Sequence, residues 1–587
     1  MNYKLNNTSS AGQKGGTILA LKSLRPLLAT EKKDLSIAFI GILFNSGATL
    51  IAPVIIAHTI DTYIVTKDFN GVLLSAAALF VIYLVGLLAS YTQTIRMGTV
   101  GRRVLYNLRN QIFTKLQSLP VAFFNQNKVG DLISRINNDT DRLNQFFAQA
   151  LMQFIGNFFL IVGAGIFLVI LNVRLGSAAL LPAFGVLIIT QLISPWVKKK
   201  NLASLQTLGS MSGEIQESLN NFKVIVAFNR LDYFRNKFNA VNQANVKSSV
   251  SAGIANNIFT PLYTFASSVA QLIVLAYGIS LIMSGNVTVG LLIGFLLYVN
   301  NFYTPLRQLA SVWSSLQQAM AALDRISEVL SLQSDMVTVP STGEASNISS
   351  VLEFNHVSFG YPDGKQVLKR ISFNLEHSKT YALVGPTGGG KTTTASLMAR
   401  LYDPTEGMVL LNGKDIRSYP PEERAQKIGF ILQEPFLFSG SLLDNVFYGN
   451  PEFAASSKEE RLAALEQSGL AELLNNFESG LDTQIQTSGD SISLGQRQLI
   501  AFVRAVLRKP EILILDEATA NIDTVTEQLL EKALEKLPSN TTKVIIAHRL
   551  NTIENADEIF FVNGGEVTAA GSMEKAVEML MHGKRKT

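Results

Sequence analysis

TYALVGPTGGGKTTTASLM, Thr380 to Met398, sets a short apolar run against a glycine-rich turn and then a helical stretch. Strand, loop and helix in that order let backbone amides close on phosphate oxygens at a helix N-terminus. Gly385, Pro386, Thr387, Gly388, Gly389 and Gly390 form the loop, Lys391 can bind the outer phosphates, and the Thr392 hydroxyl can ligate magnesium. Strands feeding helices in this way predict an α/β domain.

Downstream, ILILDE, Ile512 to Glu517, reads as a buried strand ending in two carboxylates. Asp516 can hold magnesium through water, and Glu517 can polarise an attacking water as a general base. Together the two motifs point to nucleotide hydrolysis. From Val351 onward short apolar strands alternate with helical segments, which predicts a mainly parallel sheet covered by helices over 351–587. Before it, MAALDRISEVLSL from Met320 reads as a helix, and 333–350 has breakers and no apolar period, as a linker does.

Upstream the chemistry changes. Only 16% of the 587 residues are charged, the net charge is +5, and the mean hydropathy is positive. Apolar runs near 36–58, 71–91, 147–171, 175–195, 258–282 and 289–310 each reach the roughly 20 residues that a bilayer crossing needs. They contain no Lys, Arg, Asp or Glu before Arg307. A membrane domain of six spans is therefore expected over 36–332. The loops after the second and fourth spans carry Arg96, Arg102, Arg103, Arg109, Lys115, Lys128, Lys198, Lys199, Lys200, Arg230 and Arg235, whereas the opposite loops offer little beyond Lys67 and Arg174. Basic residues favour the cytoplasmic side, so both termini are expected there. The basic excess is assigned to topology, and no nucleic-acid partner is expected.

Residues 1–35 are read as a cytosolic N-terminus without a cleavable secretory signal. Within it TILALKSLRPLL, from Thr17, could lie along the inner membrane surface or serve as a plain lead-in. No cysteine is present, which excludes disulfides and thiol chemistry. Asn45, Asn157, Gln191, Gln271, Asn300 and Asn301 sit within spans; hydrogen bonding between helices is the favoured reading and substrate contact the alternative. The absence of acidic groups mid-membrane argues against a proton relay or a fixed anionic site for cationic substrates. PVAFFNQNKVGDLISRINNDTDRL from Pro120 and GSMSGEIQESLNNFKVIVAFNR from Gly209 read as polar cytoplasmic tips placed to touch another domain.

ISLGQRQ, Ile492 to Gln498, resembles the signature sequence of ABC transporter ATPase domains. Tyr361 in VSFGYP resembles that family's adenine-stacking aromatic, Gln433 in FILQEP its Q-loop, ANIDT with Asp523 its D-loop, and His548 in IIAHRL its switch histidine. The tip around FFNQNKVGDLISRINNDTDRL is similar to the first coupling region of exporter-type members. The resemblance implies a multidomain membrane protein, a six-helix all-α transmembrane domain of exporter type plus an α/β P-loop ABC ATPase domain. It further implies that Tyr361, the loop from Gly385 to Thr393, Gln433, Asp516, Glu517 and His548 form one face of an ATP and Mg2+ site. Ser493, Gly495 and Gln496 are then expected to complete the site of a facing domain, so a second half-transporter is required.

Some positions depart from the family pattern. Gly389 stands where serine is usual, which predicts retained binding with a looser loop before nucleotide arrives. Leu494 stands where glycine is common. QTSGDSISLGQ from Gln486 lacks the acidic-glycine-arginine run of many homodimeric exporters and resembles the catalytically complete subunit of bacterial heterodimeric multidrug or lipid exporters; a heterodimer is favoured and a homodimer stays open. The function implied is ATP-driven export of amphipathic or hydrophobic compounds through a cell membrane. Uptake by an importer of this fold, or a nucleotide-gated conductance, are the alternatives.

Overall fold

The computed structural model describes residues 3–5, 29–340, 350–362, 364–475, 477, 480–486, 492–516, 524–546, 556–571 and 573–582. The stretch from Thr17 to Leu28 lies outside the described residues. The chain divides into two compact units. One comprises Leu5–Gln117 and Val129–Leu332; the other comprises Gln333–Thr587 together with Met1–Lys4 and Ser118–Lys128.

The first unit contains six helices long and apolar enough to cross a membrane: Lys32–Ile64, Phe69–Gln117, Val129–Leu171, Val173–Asn220, Leu231–Met283 and Val289–Leu309. At 1.5 Å per residue the 49-residue second helix is about 73 Å long, more than twice the thickness of a bilayer core. The helices thus run well beyond their apolar segments, and the sixth continues to Ser331. Between the third and fourth only Asn172 leaves helical geometry, and its side chain accepts the Leu175 amide as an N-cap. Gly176 makes that turn possible, because a Cβ there would stand 2.1 Å from the Leu168 carbonyl oxygen.

Proline breaks inside the bilayer need partners, since hydrocarbon supplies none. Pro53 has no N–H for the carbonyl of Thr49. Asn301 Nδ2 of the sixth helix donates to that carbonyl at 3.2 Å, and the Tyr298 hydroxyl donates to the carbonyl of Leu50. Phe167 stacks on Tyr298 with ring centres 5.2 Å apart. Small residues Ala179, Ala266 and Ala270 are buried beside these aromatics, where they let helices approach closely. Beyond the apolar segments, Arg135 is 1% exposed and is held by Asp131 at 2.9 Å and Glu328 at 2.7 Å. Arg325 reaches Asp131 at 2.8 Å and Asp139 at 3.0 Å. The start of the third helix and the end of the sixth therefore share one charge network.

The second unit has strands β1 (Ser350–Gly360), β2 (Gln366–Glu376), β3 (Thr380–Val384), β4 (Glu406–Leu411), β5 (Lys414–Asp415), β6 (Ile428–Ile431), β7 (Gly440–Ser441), β8 (Gln484–Ile485), β9 (Ile512–Asp516), β10 (Thr542–Ile546), β11 (Glu558–Asn563) and β12 (Glu566–Ala569). A six-stranded sheet runs β12-β11-β3-β10-β9-β6 and is parallel except for β12. The mainly parallel sheet expected is thus accompanied by a second sheet, β2-β1-β4-β5, which is antiparallel. The reason is local, because the link from β1 to β2 is too short for a crossover helix and returns as a hairpin. On β9, alternate residues serve two cores. Ile512 and Ile514 join the cluster of Leu352, Phe354 and Leu397, while Leu513 and Leu515 face Leu499, Phe502 and Val446.

Candidate ATP site

The loop after β3 turns on glycine. Gly390 precedes the helix Lys391–Met398 with φ of 116°, a left-handed conformation that L side chains seldom adopt. Gly389 is closely packed: its N–H donates to the Pro386 carbonyl at 3.1 Å, and a Cβ there would meet the Val562 carbonyl oxygen at 2.5 Å. The Gly389 carbonyl also accepts the Gly565 N–H at 3.4 Å, so the loop leaves no room for a side chain at 389.

Lys391 is 5% exposed, and its ammonium donates to the carbonyls of Gly385 at 2.8 Å and Pro386 at 3.2 Å. The cation is thereby held against the first two residues of the loop. Thr392 follows on the first turn and its hydroxyl stands 3.5 Å from Asp516 Oδ1 at the end of β9. Asp516 is 6% exposed. A hydroxyl and a carboxylate converging beside a phosphate loop are hard oxygen donors of the kind magnesium accepts, so the residues present fit that ion.

Tyr361 follows β1 and its hydroxyl lies 3.1 Å from Thr393 Oγ1. Its ring meets that of Tyr402 edge-on, 5.5 Å between centres. Tyr402 was not singled out by sequence reasoning, although it stands in LYDP just past the loop helix. Its hydroxyl accepts a 2.6 Å hydrogen bond from Asn125 Nδ2, in the tip segment Ser118–Lys128 that belongs to this unit. Burial pushes the Tyr402 phenol above its ordinary pKa, against a smaller opposing effect of Asn125.

Ser493 caps the 14-residue helix Leu494–Leu507 reciprocally with Gln496: its hydroxyl accepts the Gln496 amide at 3.2 Å while its own N–H donates to Gln496 Oε1 at 3.0 Å. Ser493 is exposed and Gly495 is buried. The exposed helix N-terminus they form can receive an anion. Gln498, 1% exposed, donates to the Gln433 carbonyl at 3.5 Å and ties this helix to the segment after β6. The structure thus gathers Tyr361, Lys391, Thr392, Thr393 and Asp516 at one end of the parallel sheet and sets Ser493, Gly495 and Gln496 on a separate helix start. Glu517, Asp523 and His548 lie outside the described residues.

The family pattern of the ABC transporter transmembrane region matches residues 35–306, and that of the ABC transporter matches residues 368–520. An uncharacterized ABC transporter ATP-binding protein of Bacillus subtilis (strain 168) is 32% identical over 93% of this chain and 90% of its own. A multidrug resistance ABC transporter ATP-binding and permease protein of Lactococcus lactis subsp. lactis is 30% identical over 95% and 94%. A fatty acid ABC transporter ATP-binding/permease protein of Mycobacterium tuberculosis is 30% identical over 86% and 79%.

Proposed function

This chain belongs to the ABC transporter family as a fused membrane and ATPase half, and on that premise we propose that it exports amphipathic or hydrophobic compounds by alternating access, paired with a second half. ATP hydrolysis is coupled to transport in this chain. The observation that carries the finer reading is the phosphate loop with Lys391, Thr392 and Asp516, fused to six apolar helices. The names of the multidrug and fatty acid relatives favour an amphipathic or hydrophobic cargo.

In the proposed cycle the loop amides and Lys391 bind the ATP phosphates, and Tyr361 carries the adenine. Thr392, Asp516 and Gln433 would hold magnesium, which would supply charge neutralisation at the phosphates. Glu517 accepts the proton of the attacking water, and His548 steadies the terminal phosphate. Ser493, Gly495 and Gln496 cap the nucleotide of the facing half. Closing of the two halves on ATP shifts the spans from inward-open to outward-open, and hydrolysis reopens them. Pairing draws support from the second cytoplasmic tip, where Leu219, Phe222, Val224, Val226 and Phe228 are 49–75% exposed. So much apolar surface on one polar-rimmed tip suits a protein partner. A heterodimer in a bacterial cell membrane, with both termini cytoplasmic, is the form proposed.

The test uses the complex with its copurifying partner in inside-out vesicles. ATP-dependent accumulation of a fluorescent amphiphile is expected, and Glu517→Gln should keep ATP binding while nearly abolishing turnover. Accumulation only in right-side-out cells means import. Unchanged hydrolysis in Glu517→Gln removes that residue from the role of base.

A further inference from the structure

Arg307 is the one charged residue within the last apolar run, and it is exposed. It makes no ion pair among the described residues; its Nη1 donates weakly to Thr264 Oγ1 on the fifth helix at 3.4 Å. A guanidinium here, without a carboxylate, sits in the wrong solvent unless something anionic or wet meets it.

Its surroundings say what kind of surface this is. Asn300, Thr304, Arg307 and Gln308 recur at helical spacing along one face of the sixth helix, and all four are exposed. The fifth helix answers with Thr264, Ser268 and Gln271 at the same spacing. Gln271 Nε2 donates to Asn300 Oδ1 at 2.9 Å, a second rung about 10 Å along the helix from the Arg307 rung. Two amides and a guanidinium aligned on a bilayer-depth face are costly against acyl chains, so this face lines a passage or an interface between halves. One position on from the polar residues, Phe265 and Leu272 are 69% and 65% exposed. A cationic head-group contact thus runs beside an apolar stripe.

We propose that Arg307, with Thr264, Gln271 and Asn300, forms a substrate subsite for amphiphiles bearing a single anionic head, such as a long-chain carboxylate, with Phe265 and Leu272 receiving the tail. The inference rests on the reading of this chain as an amphiphile pump and adds the sign of the charge. It complements the lack of acidic residues in the six apolar runs, which leaves a cationic head no partner there. A bilayer phosphate could supply the same anionic oxygens, so the experiment separates cargo from lipid.

The complex is reconstituted in phosphatidylcholine vesicles, and stimulation of ATP hydrolysis is titrated with three probes of equal chain length: a carboxylate, an alcohol and a quaternary ammonium. The carboxylate should stimulate at the lowest concentration. Arg307→Gln should raise its half-maximal concentration about tenfold, the loss expected for one charge-assisted hydrogen bond, with the other two probes unchanged. Arg307→Lys should restore most of the carboxylate response. A carboxylate preference that survives Arg307→Gln, or a shift shared by all three probes, overturns the subsite. An effect that appears only when anionic phospholipid is added makes Arg307 a lipid anchor and also overturns it. If none of the probes stimulates wild-type hydrolysis, the amphiphile-pump reading falls as well.

Discussion

Lys391 shows how much a single side chain carries. Its side chain is 5% exposed and its ammonium rests on two loop carbonyls, and in the proposed cycle it is the cation that meets the phosphate oxygens. Lys391→Ala should weaken ATP binding by at least about tenfold, the order of one charge-assisted contact; titration with a fluorescent nucleotide reads this directly. Burial pushes the Glu511 carboxyl up, but Lys427 at 2.6 Å and Asn412 at 2.7 Å together bring it below its ordinary 4.5. A carboxylate held low stabilises the fold above its ordinary pKa and loses that contribution as pH falls through the lowered one. Glu511→Gln should therefore cost about 0.5–1 kcal/mol at neutral pH, as a partly exposed pair does. The cost should shrink as pH falls below 4.5 and vanish only once it has passed the lowered pKa, seen as converging unfolding temperatures of the ATPase transition. Placement was legible where it needed only a motif, as for Lys391 at the start of the helix after the loop. It was illegible where a long-range neighbour decides: nothing in the sequence places Val562 against Gly389, nor Asn301 on the carbonyl that Pro53 leaves free.

Between elements, the informative path runs from Thr393 through Tyr361 and Tyr402 to Asn125. It comprises a 3.1 Å hydroxyl contact, an edge-on ring pair and a 2.6 Å hydrogen bond. The residue assigned to the adenine is thereby two contacts from a tip joined directly to the third membrane helix. Tyr402→Phe keeps the ring and removes the hydroxyl. It is expected to leave ATP affinity within about twofold and to lower cargo moved per ATP hydrolysed. Asn125→Ala should do the same, and the double variant no more, because both remove one interaction. Additive losses in the transport-to-ATPase ratio would show that the pair does not act as a unit. Apolar periodicity made the long helices and the β3-loop-helix unit readable. It could not reveal the antiparallel sheet as separate, since β1 and β2 carry the same short apolar runs as buried parallel strands.

At the scale of the whole molecule, the question is which partner faces Ser493. The serine caps its helix with Gln496 and stays exposed, and under the proposed pairing it contacts a nucleotide bound to the other half. Under the same proposal Lys391 binds the nucleotide of this half. In a homodimer both residues serve the same two equivalent sites, so Ser493→Ala and Lys391→Ala should each suppress hydrolysis throughout. A heterodimer separates them. Lys391 and Glu517 would serve a site completed by the partner's signature helix, while Ser493 would serve the partner's own nucleotide. The heterodimer proposal therefore expects Lys391→Ala to remove most ATP hydrolysis of the copurified complex and Ser493→Ala to leave about half or more, a gap of severalfold against the tenfold or greater loss of a charge-assisted phosphate contact. Equal loss in both variants, with only this chain present in the purified complex, would establish the homodimer instead.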